Sequence, residues 1–258
     1  MRIIISPAKK MNRDTDTLAP TGIPEYLHRT SQLLRAMGEL SFSEAKMLWK
    51  CNDKIAELNY DRIRDMDLEK ELTPALLAYE GIQYQYMAPA VMEESQLDYL
   101  EEHLRILSGF YGILKPFDGV VPYRLEMQAK LKTEQAEDLY GFWGSSLYDS
   151  LEKETDCILN LASKEYSKCI EKYRKPEMRY VTVVFGELRD GKVVQKATMA
   201  KMARGEMVRY MARHQIEDVE EIRNFSGLSF DKLLGDISPN INTTIVITIV
   251  DIVTPASP

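Results

Sequence analysis

Four side chains of this chain have the types and spacing for acid–base or anion chemistry: Lys9, Tyr123, Arg124 and Glu126. Arg124 and Glu126 stand two residues apart, which puts them on one side of a strand but not of a helix. Such a pair is most often a structural salt bridge. Its other use is a cation that holds a ligand beside a carboxylate that moves a proton. Just upstream, residues 103–116 read HLRILSGFYGILKP, and residues 122–127 read PYRLEM. The glycines permit backbone conformations closed to other residues. The cations and aromatics supply what an anionic, stacked ligand requires, and nucleic acid is the first ligand that fits both.

Other chemistry is missing. His28, His103 and His214 lie far apart, and no Cys or His pair has metal-ligand spacing. There is no G-x-S-x-G, no Walker loop and no G-x-G-x-x-G. No metal and no cofactor are therefore expected. The three cysteines, Cys51, Cys157 and Cys169, are odd in number and scattered, which suits a reducing cytoplasm. Cys157 reads as inert core, whereas Cys51 and Cys169, near lysines, are the weak candidates for sensing oxidant. The apolar run IIIS-P at residues 3–7 is too short for a signal peptide, and no stretch reaches the length of a membrane span.

The net charge of −7 argues against nucleic acid until its distribution is considered. Residues 160–215 hold 13 Lys and Arg against 6 Asp and Glu, whereas residues 61–102 hold 3 against 11. That asymmetry predicts one basic face on an otherwise acidic protein, unless the cluster disperses on folding.

The elements that must position these groups are legible from period and punctuation. Residues 2–6 form a short β-branched run and read as a buried first strand whose exit delivers Lys9 and Lys10 to a loop. Pro24 opens an amphipathic helix to about Met37, Ser41 or Ser43 caps a second, Asn52 starts a third, and Thr73-Pro74 begins a fourth ending near Gly81. Residues 157–161 read as a strand leading into a basic helix through Lys172. Two further strands flank an Asp190-Gly191 turn, a hairpin signature. A helix from about Thr198 to His214 carries Lys201, Arg204, Arg209 and Arg213. The motif LSGFYG at residues 107–112 is echoed by LYGFWG at 139–144. The second copy sits between helix-like runs at 133–139 and 145–153, the outline of a helix-hairpin-helix element whose amides could hold a phosphate. In the plainer reading, both glycine pairs end helices and both aromatic pairs fill core. The pattern predicts an α+β fold: a single domain with a mixed β-sheet surrounded by helices.

Taken together, the motifs resemble the bacterial YaaA family of peroxide stress proteins. The matching pieces are ISPAK at residues 5–9, residues 103–116 and 122–127, the aromatic motif at 139–144, residues 160–166 and AKMARG at 200–205. The resemblance implies a cytoplasmic protein that limits hydrogen peroxide damage by holding down unincorporated iron. It further implies a positively charged cleft, a helix-hairpin-helix element and DNA binding, and the leading reading is a DNA-binding stress protein without turnover. Carried over residue by residue, the cleft would comprise Lys9, Arg105, Tyr123, Arg124, Lys164, Tyr166, Lys201 and Arg204. The resemblance covers residues 1–236. Residues 237–258 depart from it, and the run INTTIVITIVDIV at 241–253 is β-prone and nearly uncharged. A shifted frame or altered terminus is the preferred explanation, and a genuine edge strand is the alternative. Two rival readings stand beside DNA binding. One is an enzyme acting on a nucleobase or nucleotide in a pocket lined by Lys9, Tyr123, Arg124 and Glu126. The other is direct iron handling by the acids of residues 61–102.

Overall fold

A strand with no polar face belongs in the middle of a sheet, and Ile3, Ile4 and Ile5 are all fully buried. In a computed structural model describing residues 1–189, 192–194, 196–225 and 245–251, that is where they lie. The main sheet contains Arg2–Ile5 (β1), Leu104–Ser108 (β2), Gly112–Leu114 (β3), Cys157–Asn160 (β4), Arg179–Arg189 (β5), Lys192–Val194 (β6) and Ile245–Asp251 (β7). β1 runs parallel to β2 on one side and to β4 on the other, and β4 runs parallel to β5. The outer pairings, β2 with β3 and β5 with both β6 and β7, are antiparallel. This is the mixed α+β sheet expected from the sequence. Glu187 of β5 stands opposite Val194 of β6 and Ile245 of β7, so those two strands flank β5 on opposite sides. The 245–251 segment is thus a strand. Asp190 and Gly191 lie outside the described residues, although Arg189 and Lys192 on either side of them are paired.

Around the sheet lie helices Leu27–Gly38 (α1), Phe42–Trp49 (α2), Asp53–Arg64 (α3), Ile82–Met87 (α4), Glu94–His103 (α5), Leu139–Trp143 (α6), Ser146–Glu154 (α7), Lys164–Glu171 (α8) and Ala197–His214 (α9). Their starts follow side-chain chemistry. Ser41 and Glu44 form a reciprocal capping box, and Asn52 Oδ1 accepts from the Ile55 amide at 3.0 Å.

Two expected helices do not form. Residues 73–81 are not one helix. Thr73–Pro74 pairs with Gly119–Val120, Ala75–Ala78 makes a single turn, and Tyr79–Glu80 pairs with Lys10–Met11. The Ala75 and Leu76 amides donate to the Asp118 and Pro116 carbonyls, both at 2.9 Å, so a loop takes the place of the helical partner. Residues 133–138 are not helical either. Thr133 Oγ1 accepts from the Gln135 and Ala136 amides, a local turn that competes with helix, and Asp138 caps α6 instead. The motif at 139–144 is therefore itself helix closed by Gly144, and the helix-hairpin-helix outline lacks its first helix. The plainer reading holds for the aromatic pairs, which are buried in the core, but of the glycines only Gly144 ends a helix: Gly109 and Gly112 lie at the turn between β2 and β3, and Gly141 is inside α6. Trp143 Nε1 donates to the Gly109 carbonyl at 3.0 Å, and Gly112, at φ +80°, leaves room for the Trp143 ring.

Asp118 anchors the loop before Gly119, its Oδ2 accepting from the Lys115 amide at 2.8 Å. Burial pushes its carboxyl from 3.8 up to about 6, against the pull of that hydrogen bond. A raised folded-state value makes the contribution to stability fully present below 3.8 and lost as pH rises through 6. Asp118→Asn keeps the acceptor without the charge. Urea melts should find it more stable than the parent by about 1–2 kcal/mol at pH 7.5, with the difference gone by pH 4. A variant that is less stable at pH 7.5 would refute this account.

Candidate functional site

The C-terminal ends of β1 and β4 lie side by side, the place where parallel sheets collect ligands. Ser6 follows β1, and its hydroxyl donates to Ser163 Oγ at 3.2 Å while accepting from the Ser163 amide at 2.8 Å. This clasp opens both strand exits toward a cavity of about 390 Å³. The exit of β1 contributes Lys9 and Lys10 to its wall, and α4 contributes Gln83 and Tyr84. Residues 123–126 supply Tyr123, Arg124 and Glu126. The start of α8 adds Glu165 and Tyr166, and α9 adds Lys201 and Arg204.

Two close backbone approaches bring these stretches together. A Cβ on Gly109 would lie 2.5 Å from the Leu125 carbonyl oxygen, so only glycine lets the segment bearing Arg124 and Glu126 pass over that turn. A Cβ on Gly205 would lie 2.1 Å from the Gln83 carbonyl oxygen, so glycine there seats α9, with Arg204, directly on α4.

Glu126 bridges two of the cations. Its Oε2 meets Lys9 Nζ at 2.9 Å, and its Oε1 meets Arg124 Nη2 at a long 3.4 Å. Lys9 is 64% exposed, so its bridge contributes little stability. The Tyr123 ring forms wall, but its hydroxyl is tied into the core at 2.8 Å from Tyr79 Oη and 2.6 Å from Ser108 Oγ. Burial pushes that phenol up to about 12, so it stays protonated at neutral pH. Glu165 is also raised, first by burial and then by the charge of Glu126, despite accepting from the Gln128 amide.

Three donors in this wall are buried with no hydrogen-bond partner: Arg124 Nε, Arg204 Nε and Gln83 Nε2. Orphaned buried donors are uncommon in folded proteins. Burial pulls the Arg204 guanidinium below its ordinary value. It makes no ion pair among the described residues.

The structure thus gathers Lys9, Tyr123, Arg124, Glu126, Tyr166, Lys201 and Arg204 around one cavity. Arg105 and Lys164 lie elsewhere. Arg105 is interior, bonded to Glu154 Oε2 at 2.6 Å and to the Glu101 and Leu104 carbonyls, and Lys164 is exposed outside the cavity wall. Of the acids at 61–102, Asp61, Asp65 and Asp67 are engaged in surface ion pairs with Arg64 or Lys70. Among the described residues no group of three or more His, Cys, Asp or Glu could hold a metal ion. Cys169 is buried, and burial pushes its thiol up to about 12, away from the exposed thiolate that reacts readily with oxidants.

Comparison with known proteins decides the family. The model of the family described as "Peroxide stress protein YaaA" matches residues 1–233. The chain belongs to that family. It is 59% identical to a UPF0246 protein of Lachnoclostridium phytofermentans over 89% of this chain and 90% of the relative. A UPF0246 protein of Desulfitobacterium hafniense is also 59% identical, over 89% of this chain and 92% of the relative. One of Pediococcus pentosaceus is 55% identical over the same shares. The cavity and every residue of its wall lie inside the family match.

Reading the sequence alone missed Gln83, Tyr84 and Glu165 as wall residues. The recurring serine after β1 and after β4 was the available signal that the two exits meet, but Gln83 reads as an ordinary polar residue of a helix. Its orphaned amide is visible only once α9 packs against α4.

Proposed function

We propose that this member of the peroxide stress family acts in the cytoplasm by binding DNA at the face that carries Lys9, Lys10, Arg124, Lys201 and Arg204. In doing so it limits oxidative damage and helps lower unincorporated iron. The observation that carries the reading is the convergence of five cations, from three separate stretches of an acidic chain, on one cavity rim and wall. Three carboxylates, Glu80, Glu126 and Glu165, share that wall and leave an excess of positive charge. Phosphate contacts from such a set make binding weakly sequence-specific and steeply dependent on salt.

Fluorescence anisotropy with duplex and bubble-containing DNA across a salt series tests this. The intact chain should bind at low salt. The Lys201→Ala/Arg204→Ala pair should weaken binding on every sequence and reduce the salt slope by about 2, and Arg124→Ala should weaken it further. Absence of binding at low salt would remove DNA as the partner.

A second reading, an enzyme acting on a nucleobase or nucleotide, draws support from a different observation. Lys9, Tyr123, Arg124 and Glu126 share a cavity whose 390 Å³ falls within the range of about 300–1,000 Å³ usual for small-molecule sites. With the Tyr123 hydroxyl bonded into the core, proton transfer in that reading would fall to Glu126 or Lys9.

A further inference from the structure

A buried donor without a partner destabilises the folded chain unless something arrives to accept from it. The cavity wall holds three such donors and no orphaned acceptor among the described residues. Gln83 is 6% exposed, so water from the bulk does not reach its amide freely. Arg124 shares Glu126 with Lys9 across the long 3.4 Å contact, and Arg204 has no carboxylate partner among the described residues. Two guanidinium groups and an amide, donors only at these atoms, suit a compact ligand that is rich in acceptors and negatively charged.

We propose that Gln83, Arg124 and Arg204 form a phosphate subsite within the cavity, built to hold one phosphomonoester group. The carboxylates of Glu126 and Glu165 lie in the same wall, where they can accept from N–H groups of whatever the phosphate carries. A phosphate joined to a nitrogen-bearing ring therefore matches the wall better than phosphate alone. The ligand class is a nucleoside monophosphate, either free or at the 5′ end of a strand. The subsite rests on the same cavity as the DNA reading but not on duplex binding, since a free nucleotide would fill it without any DNA at the rim.

Ligand-linked melting separates a built subsite from a packing defect. At matched ionic strength, inorganic phosphate should raise Tm modestly and dAMP more, because a ligand that binds only the folded chain stabilises it. A 5′-phosphorylated hexanucleotide should outdo its 5′-hydroxyl counterpart if the source is a strand end; equal behaviour of the two, with dAMP effective, assigns the free nucleotide. The decisive variants are Gln83→Met, which keeps side-chain length, and Arg204→Met, which keeps the apolar stem and drops the guanidinium; both remove the orphaned donors. Without ligand, each should melt at or above the parent temperature, because an unsatisfied donor has been replaced by apolar atoms. Each should also bind dAMP at least about tenfold more weakly. Two results would overturn the proposal: no shift of the parent with phosphate or dAMP, or variants that melt lower while keeping the parent's ligand response. Failure of duplex binding with a retained dAMP shift would sink the DNA reading and leave the subsite standing.

Discussion

Replacing Gly205 with alanine is expected to lower stability by about 3 kcal/mol, although alanine normally favours a helix interior by about 1 kcal/mol over glycine. The sign reverses because the added Cβ would sit 2.1 Å from the Gln83 carbonyl oxygen and 2.9 Å from the Met87 amide nitrogen. Both are backbone atoms of α4, so no side-chain rotation relieves the clash, and α9 must move away. Retreat separates Arg204 from Gln83, so surviving folded protein should also lose its response to phosphate or dAMP. Urea denaturation checks the first part and ligand-linked melting the second. An alanine variant as stable as the parent would mean that α4 and α9 do not approach so closely.

Glu154→Leu should cost about 3 kcal/mol, for an electrostatic reason. The Glu154 carboxylate accepts from Arg105 at 2.6 Å and from Arg2 at 2.8 Å, and the Arg105 side chain is only 5% exposed. Removing the acid strands a buried guanidinium, the costly half of breaking a buried pair. The double variant Glu154→Leu/Arg105→Met should recover much of the loss, since it removes both charges and fills the space. Burial by itself would raise the Glu154 carboxyl, but the hydrogen bonds and charges of Arg2 and Arg105 prevail and hold it below 4.5. A depressed folded-state value contributes stability above the ordinary carboxylate range and loses it as pH falls through the depressed value. The parent should therefore lose more stability than Glu154→Gln on acidification from pH 5 to 3. Arg105 takes part in this core bridge, so the single Arg105→Met change should lower Tm without altering the salt slope of DNA binding. A changed slope with unchanged Tm would return Arg105 to the surface.

Local chemistry was readable from the residues, whereas assembly over distance was not. Ser41 with Glu44, and Asn52, announce helix starts because a cap is satisfied within four residues of itself. The buried β1 was legible from three consecutive isoleucines. Thr73-Pro74 misled because proline suits both a helix start and an irregular strand, and what decides is that the distant Asp118 and Pro116 carbonyls take the Ala75 and Leu76 amides. Thr133 misled because its hydroxyl accepts from the Gln135 and Ala136 amides before a helix can claim them. At the site, the charged members Lys9, Arg124, Lys201 and Arg204 could be named from type and context. Arg105 could not be told apart from them, since an arginine facing Glu154 and one facing a ligand look alike in sequence. Gln83 had no signal at all, because an orphaned donor is defined by what surrounds it.

The position of β1 has a consequence for how the chain is made. Ile3 is matched in register to Leu104 on one side and Leu159 on the other. β1 therefore leaves the ribosome about 100 residues ahead of one neighbour it needs and about 155 ahead of the other. At about 5–20 residues per second, its two partners follow only after roughly 5–30 s. Throughout that interval a bare triple-isoleucine segment is exposed to solvent, and the C-terminal ends of β1 and β4 cannot meet to clasp Ser6 against Ser163. Synthesis is therefore the stage at which this chain is most open to aggregation, and a folded molecule no longer presents that segment.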